Sequence, residues 1–66
     1  MNAKEIGNRL IKLRGDKSQQ EVVKAVNISP SALSMYENGE RIPRDEVKER
    51  LAAYYETTVQ ALFFDN

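Results

Sequence analysis

The 66-residue sequence contains no cysteine, no histidine and no tryptophan, and only three glycines and two prolines. Without cysteine there can be no disulfide and no thiolate metal site. Without histidine the chain lacks the commonest metal ligand and the commonest general base near neutral pH. It has no phosphate-cradling glycine-rich loop and no evident nucleophile–base pair. An enzyme is therefore not expected, nor a metal or a cofactor. No apolar run approaches the roughly 20 residues that cross a bilayer. The N-terminal MNAKEIGNR has no signal-peptide core, so a soluble, cytoplasmic protein is expected. Internal repeats, low-complexity segments and period-2 strand patterns are also missing. A chain of this length makes one domain, residues 1–66, and buries only about 60% of the surface its unfolded state exposes.

Charge of one sign is missing as well: ten Lys and Arg balance ten Asp and Glu. Affinity for nucleic acid rests largely on cationic neutralisation of phosphates, so this balance counts against it. The distribution counts the other way. Residues 1–44 hold eight bases against five acids, whereas residues 45–66 hold two against five. Such a chain can turn a basic face to DNA and an acidic face elsewhere. Ordinary solubilisation of the surface stays open as the alternative.

What is present is helical punctuation. Ile6, Leu10 and Leu13 recur at i, i+4 and i+7, which predicts an amphipathic helix over about 3–14 with those residues in the core. Ser18 with Glu21 reads as a capping box that opens a second helix, about 19–26, with Val22, Val23 and Val26 inward. Asn27 tolerates the left-handed conformation that closes such a helix. Ser29-Pro30 opens a third, which Asn38-Gly39 stops, because proline at the first helical position loses only an amide that had no partner. A fourth, about 45–55, follows Ile42-Pro43 and buries Val47, Leu51 and one of Tyr54 and Tyr55. Asp45, Glu46 and Glu49 sit near its positive end. A fifth starts at Thr57 or Thr58 and carries Val59, Leu62 and Phe63. The expected fold is all-α, with a helix-turn-helix unit over about 18–39.

The third helix has two different sides. At roughly 100° per residue, Leu33 and Tyr36 lie about 60° apart on one side, and Ser31, Ser34, Met35 and Asn38 cluster on the other. Small polar side chains allow close approach to base edges, and serine hydroxyls can donate or accept there. A short surface helix with solvated serines fits the same pattern. Gln19, at the start of the second helix, can join unpaired backbone amides around one phosphate. Arg41 and Arg44 follow the third helix where a loop would skirt the opposite phosphate backbone, and Asn38 and Gly39 can present backbone amides there.

The stretch SQQEVVKAVNISPSALSMYENGERIP resembles the core of the lambda-repressor-like, Xre-type helix-turn-helix transcriptional regulators. These read S/T-Q-x-x-hydrophobic-A, then small-hydrophobic-S, then I-S-x-hydrophobic-E-x-G-x-x-x-P. Ser18, Gln19, Val22, Val23, Val26, Ile28, Ser29, Leu33, Glu37, Asn38, Gly39 and Pro43 fall on those positions. IGNRLIKLRG resembles the family's first helix and TTVQALFF its closing segment. The resemblance implies a compact five-helix domain that binds double-stranded DNA as a homodimer, with the third helix in the major groove. It gives Gln19 the phosphate-anchoring role, puts Pro30, Ser31, Ser34 and Met35 at base-facing positions, and pairs Glu37 with Arg14 as a structural ion pair. Three departures stand out: Asn27 replaces a common glycine, Val23 a small alanine, and the linker between Arg14 and Gln19 is short.

The leading expectation is thus a sequence-specific DNA-binding regulator, a repressor acting as a dimer, with Phe63 and Phe64 as the candidate dimer surface. The alternative is a protein-interaction module of antitoxin or anti-repressor type, which the neutral charge and the sparse base-reading chemistry of Pro30 and Met35 favour.

Overall fold

In the computed structural model, which describes residues 1–65, those residues form five helices and no strand. Each boundary has a local chemical cause. Asn2 opens α1 (Ala3–Arg14), its Oδ1 accepting from the Lys4 and Glu5 amides at 3.0 and 3.1 Å. Gly15 ends α1 at φ 57°, ψ −126°, a conformation that only glycine adopts without strain. Ser18 opens α2 (Gln19–Val26), its Oγ accepting from the Glu21 amide at 3.1 Å. The return bond from the Glu21 carboxylate is absent among the described residues, so the expected capping box is half formed. Asn27 closes α2 in the left-handed region, at φ 62°.

Ser29 opens α3 (Pro30–Glu37) by accepting from the Ala32 amide at 3.0 Å. Asn38 caps the end of this helix, as the Asn38-Gly39 stop signal predicts, and the chain reverses at Gly39, φ 75°. A loop with buried Pro43 leads to α4 (Asp45–Tyr54). Thr58 caps the last turn, its Oγ1 taking the Ala61 amide at 3.0 Å. That turn, α5 (Gln60–Phe64), is wound in π fashion, with the Asp65 amide reaching back five residues to the Gln60 carbonyl at 2.9 Å.

The core sits where α3 packs on α1 and α2, with α4 closing over α2 and α5 over α1. Ile6, Leu10, Val22, Leu33, Leu51 and Phe63 are essentially sealed from solvent. Tyr54 and Tyr55 both pack against this core, edge to face with ring centroids 5.0 Å apart. Gly7 lets α1 and α3 approach closely: a Cβ there would lie 2.4 Å from the Glu37 carbonyl oxygen.

Leu13 departs from expectation. It is 39% exposed rather than core, because α5 is a single short turn and leaves an open groove between itself and α1. Arg9, Lys12, Leu13, Thr57, Ala61 and Leu62 line that groove. Arg9 spans one end, its Nη1 donating to the Leu62 carbonyl at 3.0 Å and its Nη2 to the Asp65 carbonyl. Phe63 corrects the expected dimer surface. It is only 1% exposed, whereas Phe64 is 46% exposed. Leu62 and Phe63 together fill the core, so α5 has one aromatic ring left for the outside. The Lys48 ammonium lies over both rings, 5.9 and 5.2 Å from their centroids, and 3.5 Å from the Asp45 carboxylate.

Candidate nucleic-acid interface

The α2–α3 unit is rigid at its turn because three consecutive residues are each committed. Asn27 supplies the left-handed bend, the Ile28 amide returns to the Val23 carbonyl at 3.1 Å, and Ser29 caps α3. Leu33 and Tyr36 anchor α3 inward, with Glu37 buried beside them. Pro30, Ser31 and Asn38 are exposed, and Ser34 and Met35 partly so. The outward face of α3 is therefore small and mostly polar.

Glu37 is the electrostatic centre of the unit. Its Oε2 accepts from Arg14 Nε at 2.7 Å and its Oε1 from Arg14 Nη2 at 3.1 Å, a two-point contact matched to the planar guanidinium. The glutamate side chain is 3% exposed and the arginine side chain 21%. These hydrogen bonds are the main reason the Arg14 guanidinium is held above its already high ordinary pKa. A third Arg14 bond, Nη1 to the Lys17 carbonyl at 2.9 Å, ties the short linker to α1. Removing Arg14 would strand the buried Glu37 charge, at a cost on the order of 3 kcal/mol, whereas removing Glu37 would leave an arginine that can turn to solvent.

Two further contacts at this centre join residues far apart in the chain. Gln19 Nε2 donates to Glu37 Oε1 at 2.8 Å, and Ser34 Oγ donates to Gln19 Oε1 at 3.3 Å. The phosphate candidate and one base-facing candidate are thus joined to the ion pair in one chain. Only the three-residue spacing of Ser34 and Glu37, which puts both on one side of α3, hinted at it. Gln19 keeps one amide N–H outside that chain. The backbone amides of Gln19 and Gln20, in the first turn of α2, have no acceptor among the described residues, as expected for orphan helix-start donors.

Tyr55 lies near the same centre. Its hydroxyl is buried without a hydrogen-bond partner, and burial, followed by the Glu37 charge, pushes its pKa up to about 12.

Arg41 and Arg44 are exposed on the loop after α3, and neither has a carboxylate partner among the described residues. The loop itself is fixed by the Glu40 amide, which bonds the Met35 carbonyl at 2.9 Å, and by Gly39, packed against the α1 backbone at Lys4. Phe64 lies apart from this cluster, against Lys48 of α4.

Among the described residues no His, Cys, Asp or Glu cluster could hold a metal ion, and no helix is long and apolar enough to cross a membrane. Searches for similar curated proteins and similar solved structures find no match. The family model described as "Helix-turn-helix" matches residues 9–62, which takes in the second half of α1 and all of α2, α3 and α4. The chain belongs to this helix-turn-helix family of DNA-binding regulators.

Proposed function

We propose that the protein is a sequence-specific, cytoplasmic transcriptional repressor that binds operator DNA as a homodimer. In this reading α3 enters the major groove and presents Pro30, Ser31, Ser34 and Met35 to base edges. Gln19 and the free amides of α2 hold one phosphate backbone, and the Asn38 side chain, Arg41 and Arg44 hold the other. The backbone amides of Asn38 and Gly39, expected at this phosphate, are instead taken by the Ser34 and Tyr36 carbonyls at 2.9 and 3.3 Å. One observation carries the reading: the outward face of α3 is mostly polar, the first turn of α2 before it carries orphan amide donors, and the loop after it carries two exposed arginines with no carboxylate partner among the described residues. Phosphate contacts set position and base contacts set sequence, and both kinds of group occur here in that order.

Binding to random duplex DNA as a function of salt tests the electrostatic half. A steep fall of log affinity with log salt is expected, and flat, weak binding at low salt would reject it. Gln19→Ala should weaken binding on random as well as on specific DNA, whereas Met35→Ala should change base preference and leave binding to random DNA largely intact. Equal losses on specific and random DNA for both variants would remove the base-reading role of α3.

The exposed Phe64 and the apolar groove between α1 and α5 favour a second reading, a protein-interaction module of antitoxin or anti-repressor type. In that case the salt dependence on DNA would be shallow, and affinity would reside in a protein partner.

A further inference from the structure

The hydrogen bonds where α2 meets α3 determine where one particular proton sits. Both oxygens of the Glu37 carboxylate take N–H bonds from Arg14, and a carboxylate accepts only. Gln19 approaches the same Oε1 at 2.8 Å, and only the NH2 end of its amide can serve there. The planar amide then turns its own oxygen toward Ser34, 3.3 Å away. That oxygen carries no proton, so the Ser34 hydroxyl must be the donor. Its single O–H is committed, and lone pairs are all that Ser34 can offer outward.

We propose that Ser34 reads DNA as a hydrogen-bond acceptor only, selecting the exocyclic amino group of adenine or cytosine on the strand it faces. The proposal rests on the DNA-binding reading above, with α3 in the major groove. There adenine and cytosine present N6 and N4 amino donors, whereas guanine presents N7 and O6 acceptors and thymine its O4 acceptor. A serine with a free hydroxyl meets either class by rotating about its C–O bond. Turning the Ser34 hydroxyl outward would leave the Gln19 oxygen unpaired in a partly buried place, a cost that opposes the donor role. Gln19 and Ser34 thereby divide the work: the remaining Gln19 N–H faces phosphate as a donor, and Ser34 faces a base as an acceptor. Arg14 and Glu37 contact no DNA in this scheme and act by orienting the other two.

Selecting bound fragments from random duplex DNA with the wild-type chain, Ser34→Ala and Gln19→Leu tests the assignment. The wild-type site should contain, in each half, one position that favours A or C over G or T on one strand by about 2- to 10-fold, the range of one net hydrogen bond. Ser34→Ala should flatten that position and leave the others as they are. Gln19→Leu leaves the Arg14–Glu37 pair in place and frees the serine proton. It should admit G and T at the same position while lowering affinity for every sequence. The assignment is overturned if Ser34→Ala leaves the selected sequence unchanged, or if the position it alters carries G or T in the wild type. Retention of the A/C restriction in a folded Gln19→Leu overturns it too. If Gln19→Leu does not fold, Ser34→Ala alone decides, since it removes one hydroxyl and no buried charge. A wild-type chain that binds no duplex at low salt removes the DNA reading itself, and the Ser34 assignment with it. Binding without the A/C restriction removes the Ser34 assignment alone.

Discussion

At the residue scale, two positions carry consequences out of proportion to their size. Gly7 lies in the middle of α1, where alanine would ordinarily be the better helix former by about 1 kcal/mol. The Cβ of that alanine would meet the Glu37 carbonyl at 2.4 Å, and a backbone atom cannot swing aside. Gly7→Ala should therefore lower the unfolding free energy by about 1–3 kcal/mol in urea denaturation, against the sign of propensity. Tyr55 is the opposite case, a hydroxyl whose removal should help. Its folded pKa is raised, so the neutral form favours the folded state. That contribution is complete below the ordinary tyrosine value near 10 and is lost as pH rises through about 12. Tyr55→Phe should flatten the stability profile between these two pH values. It should also raise stability at neutral pH by about 1 kcal/mol, because an unpartnered buried hydroxyl disappears. An unchanged alkaline profile in thermal melts would show that Tyr55 is not the titrating group.

Among the elements, α5 depends most on a neighbour. One π-wound turn has few internal bonds, and Arg9 of α1 supplies donors to its Leu62 and Asp65 carbonyls. Arg9→Leu should speed amide exchange in α5 while leaving α2 and α3 protected, with a loss of about 1 kcal/mol in overall stability. Uniform acceleration across all helices would contradict this local role. The helix ends show how much was legible in the chain. Ser18, Asn27, Ser29 and Gly39 mark boundaries by chemistry that acts within three or four residues, and each does so in the fold. Leu13 departs from its periodicity for the converse reason. Its periodicity matches Ile6 and Leu10, but burial needs a facing element, and α5 is too short to cover that end of α1.

For the whole molecule, dimension decides the mode of binding. The fold extends 27 × 22 × 22 Å, whereas successive major grooves on one face of DNA repeat about every 34 Å. A single copy is too short to span two such grooves, so the proposed repressor would need two copies to read two half-sites. Phe64 is the exposed aromatic available to join them, now that Phe63 is accounted for by the core. Phe64→Ser should weaken self-association by about tenfold or more in sedimentation, as expected for an aromatic anchor. Affinity for a palindromic site should fall with it, while affinity for a single half-site should hold. Equal affinity of wild type and Phe64→Ser for the palindrome would place the dimer surface elsewhere.

The sequence by itself determined the class of the fold, the order and limits of its helices, and the helix-turn-helix unit. Periodicity, capping and turn formation are interactions between residues close in the chain, so the chain spells them out. The exposure of Leu13, the burial of Phe63 and the close passage enforced by Gly7 came only with the packed molecule. So did the chain of hydrogen bonds from Arg14 through Glu37 and Gln19 to Ser34. These depend on which elements face each other and how nearly they approach, and on donors and acceptors 15 to 23 residues apart finding one another.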